Sequence, residues 1–199
     1  MSSHYYSEKP ISTGKTTIIQ THQLGNRLSF KSQSGIFGWR KVDKGSELLL
    51  NNALIPKSGL ILDLGCGYGF IGIALAKVYP EVKFVLTDIN ELAVKLAKEN
   101  CKINDVSKNT KVTQGHLYEP VKDLKFDSII ANPPLMAGKK ILTELVVTSK
   151  EQLQEKGSLQ IVVPKKKGLK SMQKLMTEVY GTYEVLAKGS GFWVLKSEK

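Results

Sequence analysis

Three short stretches carry residues whose types and spacing suit chemistry better than packing. In Asp63-Leu64-Gly65-Cys66-Gly67-Tyr68-Gly69 a carboxylate precedes alternating glycines, Asp88 closes the apolar run Phe84-Val85-Leu86-Thr87, and Ser128-Ile129-Ile130-Ala131 stops at Asn132, Pro133 and Pro134. Proline fixes its φ, lacks a donor and restricts the residue before it. The Asn132 side-chain oxygen and the Pro133 carbonyl are thereby expected to point one way as two acceptors. Such a pair suits an amine whose lone pair is delocalised into a base or an amide. That amine is a poor nucleophile and must be held in line with its electrophile. Its N–H bonds need acceptors as they become acidic. Asn in place of Asp still works, because only an acceptor is required and the proton can leave late to water. The competing reading is an Asn-Pro turn that merely ends a strand.

The glycine stretch formally contains Gly67-x-Gly69-x-x-Gly72, the dinucleotide pattern, but also reads as Gly65-x-Gly67-x-Gly69 directly after a strand. Asp63 decides between them. A pyrophosphate on the following helix N-terminus would face that carboxylate, whereas a cationic ligand would be drawn to it. S-adenosylmethionine (SAM) carries an ammonium and a sulfonium. This reading makes Asp63, Leu64, Gly65, Cys66 and Gly67 cofactor-binding candidates. An acid at the end of the next strand commonly takes ribose hydroxyls, which assigns Asp88 and its neighbour Ile89; Asp88 as a partner of the helix cap near Asn90 is the alternative.

The elements that must position these residues alternate. "GLILDLG", "VKFVLTD", "TKVTQG", "FDSIIAN", "SLQIVVP", "YEVLAKG" and "GFWVLKSE" read as strands, the last two joined by a tight Gly-Ser-Gly turn. Between them "FIGIALAKVY", "NELAVKLAKENCKIN" capped by Asn90, "ILTELVVTSKEQLQEKG" closed by Gly157, and "LKSMQKLMTEVYG" closed by Gly181 read as helices. "SELLLNNALI" is a further helix, capped by Ser46. Upstream, "TTIIQTHQLGNRLSFKS" predicts two strands around a Gly25-Asn26 turn. The fold class is therefore α/β and Rossmann-like: a mostly parallel seven-stranded sheet with an antiparallel C-terminal hairpin strand, helices on both faces, and a small N-terminal β-hairpin. Ligands of such sheets bind off the carboxyl ends of the strands, where all three chemical stretches fall.

Composition narrows the function classes. The 199 residues are 41% hydrophobic, enough for one full core. No apolar run is long enough to span a bilayer and the first residues lack a signal pattern, so a soluble cytoplasmic protein is expected. Two cysteines without paired spacing predict packed thiols and no metal site. The net charge is +11, from 29 Lys+Arg against 18 Asp+Glu. A field of that sign draws polyanions, though a lysine-rich solubility surface would look the same. Lys139, Lys140, Lys165, Lys166, Lys167 and Lys170 follow the carboxyl ends of two strands. That places them on the rim that holds Asn132 and makes them candidate contacts to an RNA backbone.

"DLGCGYG", "TDIN", "NPPL", "SGIFGWRKVDKGSELLL" and "GSGFWVLKS" together resemble the small-domain class I methyltransferases, from about Phe30 to Lys196. Within them the chain is similar to ribosomal RNA guanine-N2 methyltransferases and compact archaeal-type relatives. The resemblance implies SAM as methyl donor, an exocyclic amine as acceptor, Asn132-Pro133-Pro134 at the reaction centre, and an RNA partner. It also implies that Phe37, Asp43 and Gly45 border the cofactor's methionine end. Residues 1–35 then form an arm and hairpin, and 36–199 the methyltransferase domain. The chain departs from the family twice. His116 stands where an acid contacts adenine, so backbone groups of His116 and Leu117 would serve instead; a surface-loop histidine is the other reading. Leu135 replaces the aromatic that stacks on a flipped base, leaving Phe37, Trp39 or Phe192 for that role. Competing functions are methylation of a protein glutamine amide, an NAD-dependent oxidoreductase, which Asp63 disfavours, and a non-catalytic RNA-binding module.

Overall fold

The computed structural model describes residues 12–134 and 138–199. Strands β1 (Thr16–Gln23) and β2 (Asn26–Gln33) form an antiparallel hairpin. The chain continues through α1 (Lys44–Asn52), β3 (Leu60–Leu64), α2 (Phe70–Val78), β4 (Lys83–Asp88), α3 (Glu91–Ile103), β5 (Thr110–Gln114) and β6 (Phe126–Ala131). It closes with α4 (Lys139–Gln152), β7 (Leu153–Pro164), α5 (Leu169–Tyr180), β8 (Glu184–Gly189) and β9 (Phe192–Glu198). The main sheet has seven strands in the order β5-β4-β3-β6-β7-β9-β8, and β9 runs antiparallel to both its neighbours. The order reverses between β3 and β6, which is where an open α/β sheet leaves a crevice.

Alternation along the strands sorts the core into two layers. Ile61, Phe84, Leu86 and Ile130 face a core shared with α1, α2, α3 and the hairpin, whose Phe30 is fully buried there. Leu62, Leu64, Val85, Ile129 and Ala131 face a second core built with α4 and α5. Asp63, Asp88 and Asn132 have the parity of Ile61, Leu86 and Ile130. All three polar residues are therefore presented on the side of α1, α2 and α3.

Four local expectations are corrected. The hairpin turn is Leu24-Gly25, one residue earlier than expected, with φ of 48° and 79°; both central residues are left-handed, as a two-residue turn matched to strand twist requires. Helix α1 is capped by Asp43 and not by Ser46, because the Asp43 carboxylate accepts the Ser46 N–H at 2.9 Å and leaves Ser46 inside the first turn. The helix also stops at Asn52, since Gln160 clamps the backbone N–H and carbonyl of Leu54 and holds it extended. Helix α4 ends at Gln152, short of Gly157. Leu153 is fully buried and pairs with Phe126, so tertiary pairing overrides the helix-forming Glu, Gln and Lys that follow.

The hairpin is fixed to the sheet domain by asparagines. Asn100 on α3 accepts the Lys31 N–H at 2.8 Å and donates to the Lys31 carbonyl at 2.9 Å. One turn on, Asn104 does the same to Ser29, at 3.1 and 2.9 Å. Two side-chain amides thus stand in for a neighbouring strand along the edge of β2. Asn100 also donates to the Tyr68 carbonyl at 2.8 Å, tying the hairpin to the glycine loop. Phe30 packs edge-on against Tyr68 and Phe70, with ring centroids 5.6 Å away in each case. Asn100→Ala leaves three backbone groups without this partner and is expected to cost about 1–3 kcal/mol. Denaturant titration measures the loss, and hydrogen exchange should show faster exchange at Lys31.

Candidate active site

The carboxyl ends of the parallel strands open into a cavity of about 400 Å³. Register brings the three stretches together. Leu64 is paired with Thr87 on one side and Ala131 on the other, so Gly65, Asp88 and Asn132 begin the loops at one level. The N–H groups of Gly65 and Cys66 both reach the Thr87 carbonyl, at 2.8 and 2.9 Å, and curl the loop over β4. Gly65 and Gly67 have φ of 75° and 57°, the left-handed region that side chains avoid. A Cβ at Gly65 would meet nothing within 4 Å. The backbone there borders open cavity, so a ligand can approach it closely.

Gly72 serves packing. A Cβ on it would meet Leu86 at 2.8 Å and the Asp63 carboxylate at 2.9 Å. Its absence lets α2 sit down on β3, and Asp63 accepts the Gly72 N–H at 2.8 Å. The carboxylate thereby occupies the helix N-terminus, the place a pyrophosphate would need. Asp88 accepts the Gly67 N–H at 2.8 Å through one oxygen and the Asn90 N–H at 2.9 Å through the other. It therefore braces the glycine loop and the start of α3 while still bordering the cavity.

The electrostatics of the floor are one-sided. Burial raises the Asp63 carboxyl to about 7, against the stabilising Gly72 N–H and with a further push from Asp88. Asp88 is also raised, by burial, although three backbone N–H groups oppose the shift. Cys66 is held well above its usual range by burial and then by both acids, and the Tyr68 hydroxyl is raised by burial and then by Asp43. Neither supplies an ionised nucleophile. The floor is a pair of carboxylates short of countercharge, and a cation would relieve it.

Asn132 stands opposite. Its amide nitrogen donates to Asp43 Oδ2 at 3.0 Å and to Ser46 Oγ at 2.8 Å. A carboxylate only accepts, so the NH2 group must face Asp43 and the side-chain oxygen is turned away from it. Pro133, Pro134, Phe37, Leu64, Ile89, His116, Leu117, Lys167 and Phe192 also border the cavity. Gly45 does not line it. It lies beneath, where a Cβ would meet the Phe192 ring and Asp43 Oδ2 at 3.0 Å, and its smallness lets that ring and that acid pack together. Lys139 and Lys140 border a separate surface groove along α4. Lys165, Lys166 and Lys170 are exposed near Lys167, beyond the end of β7. Leu135 lies outside the described residues. Ser46 and Tyr68 are site residues that the pattern missed. Ser46 read as a helix cap, and only its meeting with Asn132 across the fold reveals the second role.

A model of the methyltransferase small domain matches residues 27–196. The chain belongs to the methyltransferase small domain family. As a member it is a SAM-dependent methyltransferase. It is 39% identical to the YbxB protein of Bacillus subtilis over 203 aligned positions, covering 100% of both chains. It is 32% identical to ribosomal RNA small subunit methyltransferase C of Photorhabdus laumondii over 83% of its own length and 48% of that protein's. Among solved structures it resembles the T. thermophilus 16S rRNA N2 G1207 methyltransferase in complex with AdoMet and guanosine, with a TM-score of 0.81 and 23% identity over 96% of this chain and 51% of that one. The chain spans about half the length of these ribosomal RNA methyltransferases. Among the described residues no helix is long and apolar enough to cross a membrane, and no group of three or more His, Cys, Asp or Glu could hold a metal ion.

The raised Asp63 carboxyl has a consequence for stability. A folded-state pKa near 7, above the ordinary 3.8, means the folded protein binds the proton more tightly than the unfolded one. The associated stability is complete below the ordinary value and is lost as pH rises through 7. Without cofactor, wild type should lose about 1 kcal/mol more than Asp63→Asn between pH 6 and pH 8. Urea titration of both proteins at the two pH values checks this; parallel profiles would refute it.

Proposed function

We propose that this protein methylates the exocyclic amine of a base in RNA, most specifically guanine N2 of ribosomal RNA. The observation that carries the reading is the orientation of Asn132, whose NH2 group is held by Asp43 and Ser46 so that its oxygen is left to accept from a substrate amine. The relatives named ribosomal RNA small subunit methyltransferase C support the substrate class. The related T. thermophilus structure in complex with guanosine supports the base.

The cavity residues fit SAM. Asp63 and the open backbone of Gly65 and Gly67 suit its cationic methionine end. The Asp88 oxygens already accept backbone N–H groups and retain acceptor capacity for ribose hydroxyls. Leu64, Cys66 and Ile89 supply apolar walls, and the turn at His116-Leu117 borders the place for adenine. Phe37 and Phe192 border the mouth and offer the aromatic face that Leu135 lacks.

Bound SAM supplies an electrophilic methyl carbon on a sulfonium. That carbon would take the substrate amine's lone pair as the C–S pair returned to sulfur. The Asn132 oxygen and the Pro133 carbonyl accept the two N–H groups and hold the lone pair in line. As positive charge develops on nitrogen both hydrogen bonds strengthen, and one proton then leaves to water. Lys139, Lys140, Lys165, Lys166, Lys167 and Lys170 carry the RNA backbone and give binding without sequence preference.

The test uses methyl-labelled SAM with total RNA and total protein from cells whose copy of this gene is deleted. Label should enter RNA and be recovered as N2-methylguanosine. Asn132→Ala should slow transfer by about 100-fold or more, and RNA binding should weaken steeply with salt. Label in protein with RNA untouched would overturn the substrate assignment in favour of a glutamine amide.

A further inference from the structure

Asn132 offers one acceptor and two donors, and nothing in an amide's shape decides which end faces the substrate. The two orientations differ by a half-turn about the last side-chain bond. In one, the oxygen meets the substrate's N–H. In the other, the NH2 group meets it, donor against donor, and the amine is repelled. The residue works only if something fixes the choice. Asp43 Oδ2 lies 3.0 Å from the amide nitrogen, and Ser46 Oγ lies 2.8 Å from it. The same Asp43 oxygen caps α1 through the Ser46 N–H at 2.9 Å. Its position is thus set by the helix and not by the substrate. Gly45 has room only for the Phe192 ring and this carboxylate, so the acid is packed as well as hydrogen-bonded.

We propose that Asp43, assisted by Ser46, is a positioning residue that acts through Asn132, and that it dictates Asn over Asp at position 132; this rests on the catalytic reading of Asn132 given above. The carboxylate has no donor, so rotation of Asn132 would set oxygen against oxygen beside a full negative charge. It also polarises the amide. Donating both N–H groups, one of them to an anion, pushes electron density toward the amide oxygen and makes it a better acceptor. An aspartate at 132 would face Asp43 as a second carboxylate at hydrogen-bond distance, and one of the two would have to take up a proton.

The variants must separate positioning from capping. Asp43→Ser keeps a helix-capping oxygen but is too short to reach Asn132 as well. Its melting temperature is expected to stay near wild type, while kcat on the RNA, measured at saturating SAM, falls at least tenfold. In the Asn132→Ala background, Asp43→Ser should cost nothing further, because the residue it positions is gone. Asp43→Asn should fall between, since its amide oxygen can accept from Asn132 but can also turn away. Asn132→Asp should be impaired at neutral pH and recover in part when combined with Asp43→Asn, whose NH2 group can donate to the new carboxylate. Wild-type kcat in Asp43→Ser, or a full further loss when it is added to Asn132→Ala, would overturn the proposal while leaving Asn132 catalytic. Wild-type activity in Asn132→Ala would instead remove the catalytic reading, and this proposal with it.

Discussion

Side chains alternate along a strand with a period of two, and neighbouring parallel strands keep that parity when they are in register. The site depends on this constraint. Leu64 lies between Thr87 and Ala131, so three consecutive strands in the sheet reach the rim at one level. Asp63, Asp88 and Asn132 all share the face that carries α1, α2 and α3. Asp63 finds Gly72 of α2, Asp88 finds the loop entering α2 and the start of α3, and Asn132 finds the first turn of α1. A slip of one residue in β6 would turn Asn132 toward α4 and away from Asp43. The chemistry is assembled by register first and by hydrogen bonding second.

Helix starts do most of the remaining work. The first turns of α1, α2 and α3 each receive an acid or amide from a residue that also borders the cavity: Asp43, Asp63 and Asn90. Capping a helix and bordering the cavity are therefore done by the same side chains. This economy explains the buried carboxylates. Each is tolerable without a ligand because backbone N–H groups satisfy it, yet each keeps unspent acceptor capacity toward the cavity.

The fold was legible because its signals are local and redundant. Apolar runs of strand length, helices closed by glycine or capped by Asn90, and a short final turn left few topologies open. Asp63, Asp88 and Asn132 stood out as candidates because each lies at or beside the carboxyl end of a strand, and strand ends in such a sheet converge. Errors arose where distant partners override local preference. Residues 153–157 carry helix formers, but Leu153 is drawn into the sheet by Phe126. Ser46 has the chemistry of a cap, but Asp43 reaches its N–H first. The link between Asp43 and Asn132 spans 89 positions in the chain and leaves no local trace. Gly45 is named only through the family resemblance; its packing against Phe192, near the other end of the chain, leaves no local trace.

Strand β9 runs against the others, and this inversion governs how the cavity mouth can vary. The parallel strands contribute to the rim where they end. Strand β9 contributes where it begins: Phe192 pairs with Pro164, the last residue of β7, and the Gly191 carbonyl takes the Lys165 N–H at 2.8 Å. A change in the length or conformation of the Gly189-Ser190-Gly191 turn would move an aromatic ring across the opening while the ladder behind it stayed paired. The mouth can thus be reshaped by the β8–β9 turn, independently of the floor, which β3, β4 and β6 hold in place. Within one scaffold, what is methylated can drift while the means of methylating it is kept.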